Sequence, residues 1–177
     1  MTQAELIEQF VRSVAGAAAT AEKIPSDADR LSEALLRAAG DDGLIFFASA
    51  DDVAPELFAA FRKNGRVISE PTAEQVRTLK VGVTDALCGI ASTGSVCVSI
   101  GRSLSGPASS LTRKHIAVVH GRTIIPRPRD LFSGEFLGGE GLRRSFSFIT
   151  GPSATADMGL LVRGVHGPGK LHVIVLE

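Results

Sequence analysis

The run Leu44-Ile45-Phe46-Phe47-Ala48, apolar at every position, constrains this chain more than any other stretch. A strand with one wet face alternates apolar and polar residues. An unbroken apolar run therefore reads as a strand buried on both faces, the setting of a parallel sheet with layers on either side. Asp51 or Asp52 can cap a helix carrying Leu57, Phe58 and Phe61, Asn64-Gly65 closes it, and Arg66-Val67-Ile68 reads as the next strand. The same alternation predicts a helix over about 73–79, strands at 81–84, 95–100 and 116–119, a helix after Pro128, and strands at 146–149 and 171–176. The expected fold class is α/β.

Ahead of this region, Leu6, Ile7, Phe10, Val11 and Val14 mark one stripe of a helix over about 3–19. After Pro25, Ser26-Asp27-Ala28-Asp29 offers an N-cap and a first-turn acid for a second helix carrying Leu31, Leu35 and Leu36 and stopping near Gly40. The organisation expected is a helical segment over 1–40 packed on the same domain as an α/β region over 41–177. Glycine and proline gather at 101–107, 134–141, Gly151-Pro152 and 164–169, where turns and ligand-approaching loops concentrate.

Nineteen Lys+Arg balance nineteen Asp+Glu for a net charge of zero, and aromatic residues are 5% with no Trp or Tyr. A nucleic-acid partner would require a basic field and stacking platforms, so that class is disfavoured. Cys88 and Cys97 are too few for a metal quartet, form no Cys-x-x-Cys, and sit among small or apolar neighbours, as buried thiols in a reducing compartment do. The residues Met1-Thr2-Gln3-Ala4-Glu5 carry no basic n-region, and no run approaches the roughly 20 apolar residues of a membrane span. The expectation is a cytoplasmic protein.

Gly164-Val165-His166-Gly167-Pro168-Gly169-Lys170 satisfies the G-x-x-x-x-G-K part of a phosphate-binding loop. Leu171 replaces the magnesium-binding hydroxyl, however, and a strand-like apolar run follows where a helix is required, so nucleotide hydrolysis is rejected. In Ile149-Thr150-Gly151-Pro152-Ser153-Ala154-Thr155-Ala156-Asp157 a strand ends in Gly-Pro and hydroxyl residues are expected to open a helix. Free amides there would suit an anion; an ordinary capped turn is the plainer reading. Ala91-Ser92-Thr93-Gly94-Ser95 is either a hairpin turn or a ligand-facing loop, and no G-x-S-x-G elbow surrounds its serines. Among four histidines no H-x-x-x-H pair occurs, which leaves metal binding unsupported. His115 and His172 open apolar strands and read as structural, whereas His166, in a loop, is better placed to exchange a proton with a ligand.

Several segments together resemble the LUD domain, the lactate-utilization protein C (LutC/YkgG) family: 81–86, 90–95, 115–119, and above all Thr150-Gly151-Pro152-Ser153-Ala154-Thr155-Ala156-Asp157-Met158 followed by Gly164-Val165-His166-Gly167-Pro168 and Leu171-His172-Val173. The resemblance covers roughly 80–177 closely and the first half by general pattern. It implies a three-layer α/β/α fold with a mainly parallel sheet, similar to the sugar-phosphate isomerase and CoA-transferase (NagB/RpiA-like) group, preceded by the N-terminal helix pair. It also implies a part in oxidising L-lactate to pyruvate with separate iron–sulfur partner proteins, this chain holding no cofactor itself and binding substrate or aiding assembly. Two family positions differ. Ser92 stands where the family reads Glu before Thr-Gly, and Gly159 where an acid commonly follows. Both replaced groups are carboxylates, which argues against a glutamate-dependent transferase.

The resulting site expectation gathers Thr84, Ser92, Thr93, Gly94, Gly151, Pro152, Ser153, Thr155, Gly164 and Gly167 around a small carboxylate, with His166 and Asp157 meeting its hydroxyl or carbonyl. Whether the chain is itself catalytic stays open. One alternative is a non-catalytic interaction protein that tunes iron–sulfur partners. Another is a transferase or isomerase on a phosphorylated or CoA-linked substrate.

Overall fold

The structure, a computed structural model, describes residues 1–101, 104–133, 136–137, 145–157 and 159–177. Most of the glycine cluster at 134–141, and Met158, lie outside the described residues. In chain order the helices are α1 (Gln3–Gly16), α2 (Ala28–Ala39), α3 (Ala59–Arg62), α4 (Ala73–Thr78) and α5 (Ser105–Ser110). The first six strands are β1 (Thr20–Ile24), β2 (Ile45–Ala48), β3 (Val67–Ile68), β4 (Val81–Ala86), β5 (Cys88–Ile90) and β6 (Ser95–Ile100). They are followed by β7 (Lys114–His120), β8 (Ile124–Ile125), β9 (Ser145–Thr150), β10 (Ala154–Thr155), β11 (Val162–Arg163) and β12 (Lys170–Leu176).

Six strands form a wholly parallel sheet in the order β1-β12-β7-β4-β2-β3. Alternate residues divide between its two faces. Ile45, Phe47, Val81, Val83, Ile116, Val118, Ile174 and Leu176 pack against Leu31 and Leu35 of α2 and against Phe58 and Phe61. Phe47 meets Phe58 at 4.7 Å and Phe61 edge-on at 5.7 Å. On the opposite face Ala86, Ala117, Val119, Val173 and Val175 meet Leu6, Ile7, Phe10 and Val14 of α1 together with Val96 and Val98. Every residue of β2 and β4 is buried, which is why the sequence there shows no polar alternation.

The second face also carries a four-stranded sheet in the order β8-β5-β6-β9, so that layer is α1 plus a mixed sheet rather than helices alone. Its outer side builds a smaller core from Cys88, Ile90, Cys97 and Leu131. Cys88 and Cys97 lie directly opposite each other as buried free thiols. The Cys97 contact and burial both push the Cys88 thiol up.

Both leading helices are present, and each has its cap. Thr2 and Glu5 form a capping box on α1, while Asp27 accepts hydrogen bonds from the amides of Asp29 and Arg30 on α2. The helices do not pair. The segment between them forms β1, an edge strand beside β12, and the two helices consequently lie on opposite faces of the main sheet. Helix α1 stops at Gly16, three residues short of the expected end, because Ala18 turns to φ 60° and leads into β1. The segment after Pro128 is a 3-10 helix, Pro128–Phe132. Helix α5 docks directly on β4: a Cβ at Gly82 would stand 1.9 Å from the Ala108 carbonyl oxygen.

Candidate functional site

Two loops named by the sequence, Gly151-Pro152-Ser153 and His166-Gly167-Pro168, are joined by backbone hydrogen bonds. The Ser153 amide donates to the Pro168 carbonyl (2.8 Å), and the Gly164 amide donates to the Ser153 carbonyl (2.9 Å). Antiparallel pairing of Ala154 with Arg163 and of Thr155 with Val162 continues the clip. The helix expected after Gly151-Pro152 is therefore not formed. Its backbone groups pair with chain further downstream, from Val162 to Pro168, and the Ser153 amide, already bonded, is not available to an anion. A Ser/Thr-rich start looks the same in a sequence whether it caps a helix or opens a hairpin.

The clipped loops form one wall of a cleft of about 260 Å³. Ser109 and Ser110 at the end of α5 and residues Ser147, Phe148, Ile149 and Thr150 of β9 form others. His115, second residue of β7, lies at its inner end and is 1% exposed. Its Nε2 is 2.9 Å from Thr84 Oγ1 on the neighbouring strand. Its Nδ1 is buried and has no hydrogen-bond partner among the described residues. Burial pushes the imidazole down to about 4, so the ring is neutral at pH 7. A neutral imidazole presents one donor and one acceptor; when Thr84 donates to Nε2, Nδ1 carries the proton.

The structure thus brings together Thr84, Gly151, Pro152, Ser153, His166 and Gly167, and adds His115, whose strand position had suggested only a structural role. The signal was present in the sequence as a lone titratable group in an apolar strand, but the partner strand that gives it Thr84 is a matter of register.

Ser92-Thr93-Gly94 forms the β5–β6 hairpin turn and does not line this cleft. It reaches the rim only through hydroxyls, Thr93 Oγ1 to Ser95 Oγ and Ser95 Oγ to Thr150 Oγ1, each 2.6 Å. Gly94 (φ 66°) and Gly151 (φ 69°) both face the end of α1. A Cβ would stand 2.4 Å from the Val14 nitrogen at the first and 2.1 Å from the Ala17 oxygen at the second. Docking of α1 thus accounts for both glycines. Thr155 pairs within the β10–β11 hairpin, Gly164 is bonded to Ser153 but is not part of the cleft lining, and Asp157 is exposed in the hairpin connection, also outside the lining.

A further polar centre that sequence reasoning missed is Asp85, buried at the end of β4. Its carboxylate accepts hydrogen bonds from the amides of Ala50, Asp52 and Val53 and from Ser49 Oγ, fixing the loop after β2. Among the described residues no three His, Cys, Asp or Glu side chains are grouped so as to hold a metal. No described helix is long and apolar enough to cross a membrane.

Comparison with known proteins gives a consistent picture. The family model described as LUD domain matches residues 43–176. A lactate utilization protein C from Halalkalibacterium halodurans is 33% identical over 112 residues, 61% of this chain and 49% of that protein. The protein of that name from Bacillus subtilis is 30% identical over 112 residues, 61% of this chain and 47% of its own length. The chain spans about half the length of these curated relatives. A crystal structure of a DUF162 family protein from Deinococcus radiodurans matches with a TM-score of 0.70 at 21% identity, covering 100% of this chain and 99% of the other.

Proposed function

The chain belongs to the LUD domain family, and from that premise we propose that it takes part in lactate utilization, binding a small hydroxy-carboxylate in the cleft over His115 and working beside separate iron–sulfur proteins. The observation that carries the reading is the buried, neutral His115 with an unpartnered Nδ1, set in a cleft built from the two most specific motif loops. An unpaired buried polar atom costs about 1–3 kcal/mol, a cost that a ligand hydroxyl or carboxylate at the inner end would relieve. About 260 Å³ is below the range of roughly 300–1,000 Å³ that holds drug-sized ligands, as suits a three-carbon acid.

In this reading His115 binds and orients the substrate, Ser153 and Thr150 supply hydroxyl hydrogen bonds, and exposed His166 stands at the mouth, where a ring N–H can donate to an anion. Oxidising lactate to pyruvate releases two electrons and two protons. In this reading the electrons go to the iron–sulfur partners and the protons to solvent, while Cys88 and Cys97 stay buried as free thiols on β5 and β6.

One feature favours the interaction-protein alternative. Leu160, Leu161, Val162 and Val165 are exposed on and beside the hairpin that carries the motif loops, an apolar edge suited to a partner protein. Complementation separates the readings. In a strain deleted for this gene, wild type restores growth on L-lactate and the Ser153→Ala/His166→Ala variant does not. Restoration by both places the function in the docking edge, and the absence of a growth defect contradicts the lactate role.

A further inference from the structure

At the amino-terminal end of the main sheet, three neighbouring interior strands begin at or next to cations. Lys170 starts β12, Lys114 starts β7 directly opposite it, and Lys80 immediately precedes Val81, the residue of β4 opposite Lys114. Arg113 adjoins Lys114, and the Arg113 and Lys114 amides both donate to the Lys80 carbonyl, drawing the chain ends together. Arg163, at the end of β11, completes five cations lining a cleft of about 500 Å³ with a single carboxylate, Asp42.

The arrangement is electrostatically costly. Parallel strands lie about 4.8 Å apart, and like charges in register repel. Lys114 is held in place, its Nζ donating to the carbonyls of Ala38 and Ala39 at the end of α2 and lying 3.3 Å from Asp42. Lys80, Arg113, Arg163 and Lys170 have no carboxylate within ion-pair distance among the described residues. Asp42 is pulled below the usual carboxylate range, first by its hydrogen bond to Lys114 and further by Lys80 and Lys170, so several ammoniums act on one acid. In a chain of zero net charge, this concentration is local design rather than a general basic character.

We propose that this cleft, at the amino-terminal end of the sheet where β4, β7 and β12 begin, binds a small molecule carrying two linked phosphates. Five cations against one acid exceed what a monocarboxylate calls for, and the Arg113 and Arg163 guanidiniums offer the planar forks that engage phosphate oxygens in pairs. Gly164 and Gly169 line the same cleft without side chains, so bare backbone forms part of the wall. The Gly164–Lys170 motif, rejected as a helix-linked phosphate loop, thus brings its two glycines and its lysine to a phosphate site of another construction. A nucleic acid fits less well, since this chain has no Trp or Tyr for base stacking. The site is separate from the His115 cleft and does not depend on the lactate reading.

The test is calorimetric titration of the full chain with inorganic pyrophosphate at physiological salt, with orthophosphate, citrate and a single-stranded oligonucleotide as comparators. Pyrophosphate is expected to bind at least tenfold more tightly than orthophosphate or citrate, and to raise the melting temperature. The Lys80→Gln/Arg113→Gln/Lys170→Gln variant, which spares Lys114, is expected to lose at least tenfold and to melt no lower than wild type without ligand. Lys170→Gln alone should lose severalfold, and an Arg12→Gln/Arg129→Gln control should bind as wild type. Absence of pyrophosphate binding, equal binding of citrate, tighter binding of the oligonucleotide, or undiminished binding by the Lys170→Gln and triple variants would overturn the proposal.

Discussion

His115 shows how one residue carries both a folding cost and a functional opportunity. Its ring is held neutral by burial, with a pKa of about 4 against roughly 6.5 in an unfolded chain. Because the folded value is depressed, the unfolded state binds more protons between these two values. Stability is therefore full above about pH 6.5 and is lost as pH falls toward 4. The difference amounts to about 3 kcal/mol. Denaturant unfolding as a function of pH should show this limb in wild type and a flattened one in His115→Gln; an unchanged limb in the variant would assign it to other groups. The sequence identified the residue and its apolar strand. Its significance depends on Thr84 across the strand pair and on a cleft wall supplied by β9, contacts of long range that no local pattern encodes.

Among the elements, what was legible followed from burial. Strand β2 is covered on both faces and reads as an unbroken apolar run, β7 carries one at 116–119, and β4 is buried throughout despite Thr84 and Asp85, whereas β1, an edge strand with Glu22 and Lys23, carries no such pattern and is fixed by its pairing with β12. Helix α5, Ser-Gly-Pro-Ala-Ser-Ser, has no apolar stripe and exists where Gly82 lets it lie against β4. The hairpin β10–β11 replaced an expected helix because distant backbone groups outcompeted a local cap. The glycines of the two motif turns likewise answer to an element, the end of α1. Gly94→Ala and Gly151→Ala should each cost about 2–4 kcal/mol, combining left-handed strain with collision against helix backbone. The shift in denaturant midpoint checks this, and substitutions that leave stability unchanged would return these glycines to a ligand role.

For the whole molecule, three layers leave the amino ends of β7 and β12 accessible, His115 and Leu171 to one cleft and the preceding Lys114 and Lys170 to another. The motif loops and His115 shape one cleft there, and a cluster of cations shapes another. Strand order could not be read from the sequence, because parallel neighbours are joined through other layers and only β2 and β3 are consecutive neighbours in the sheet. The family motifs nevertheless marked the first cleft, since they are the segments whose mutual hydrogen bonds build it. The most direct test of the central claim is titration of L-lactate into the histidine-labelled chain, followed by the imidazole NMR signals. The His115 and His166 signals are expected to shift saturably while those of His120 and His172 stay fixed; a His115 signal that does not move, or four that move together, would contradict a substrate site in this cleft.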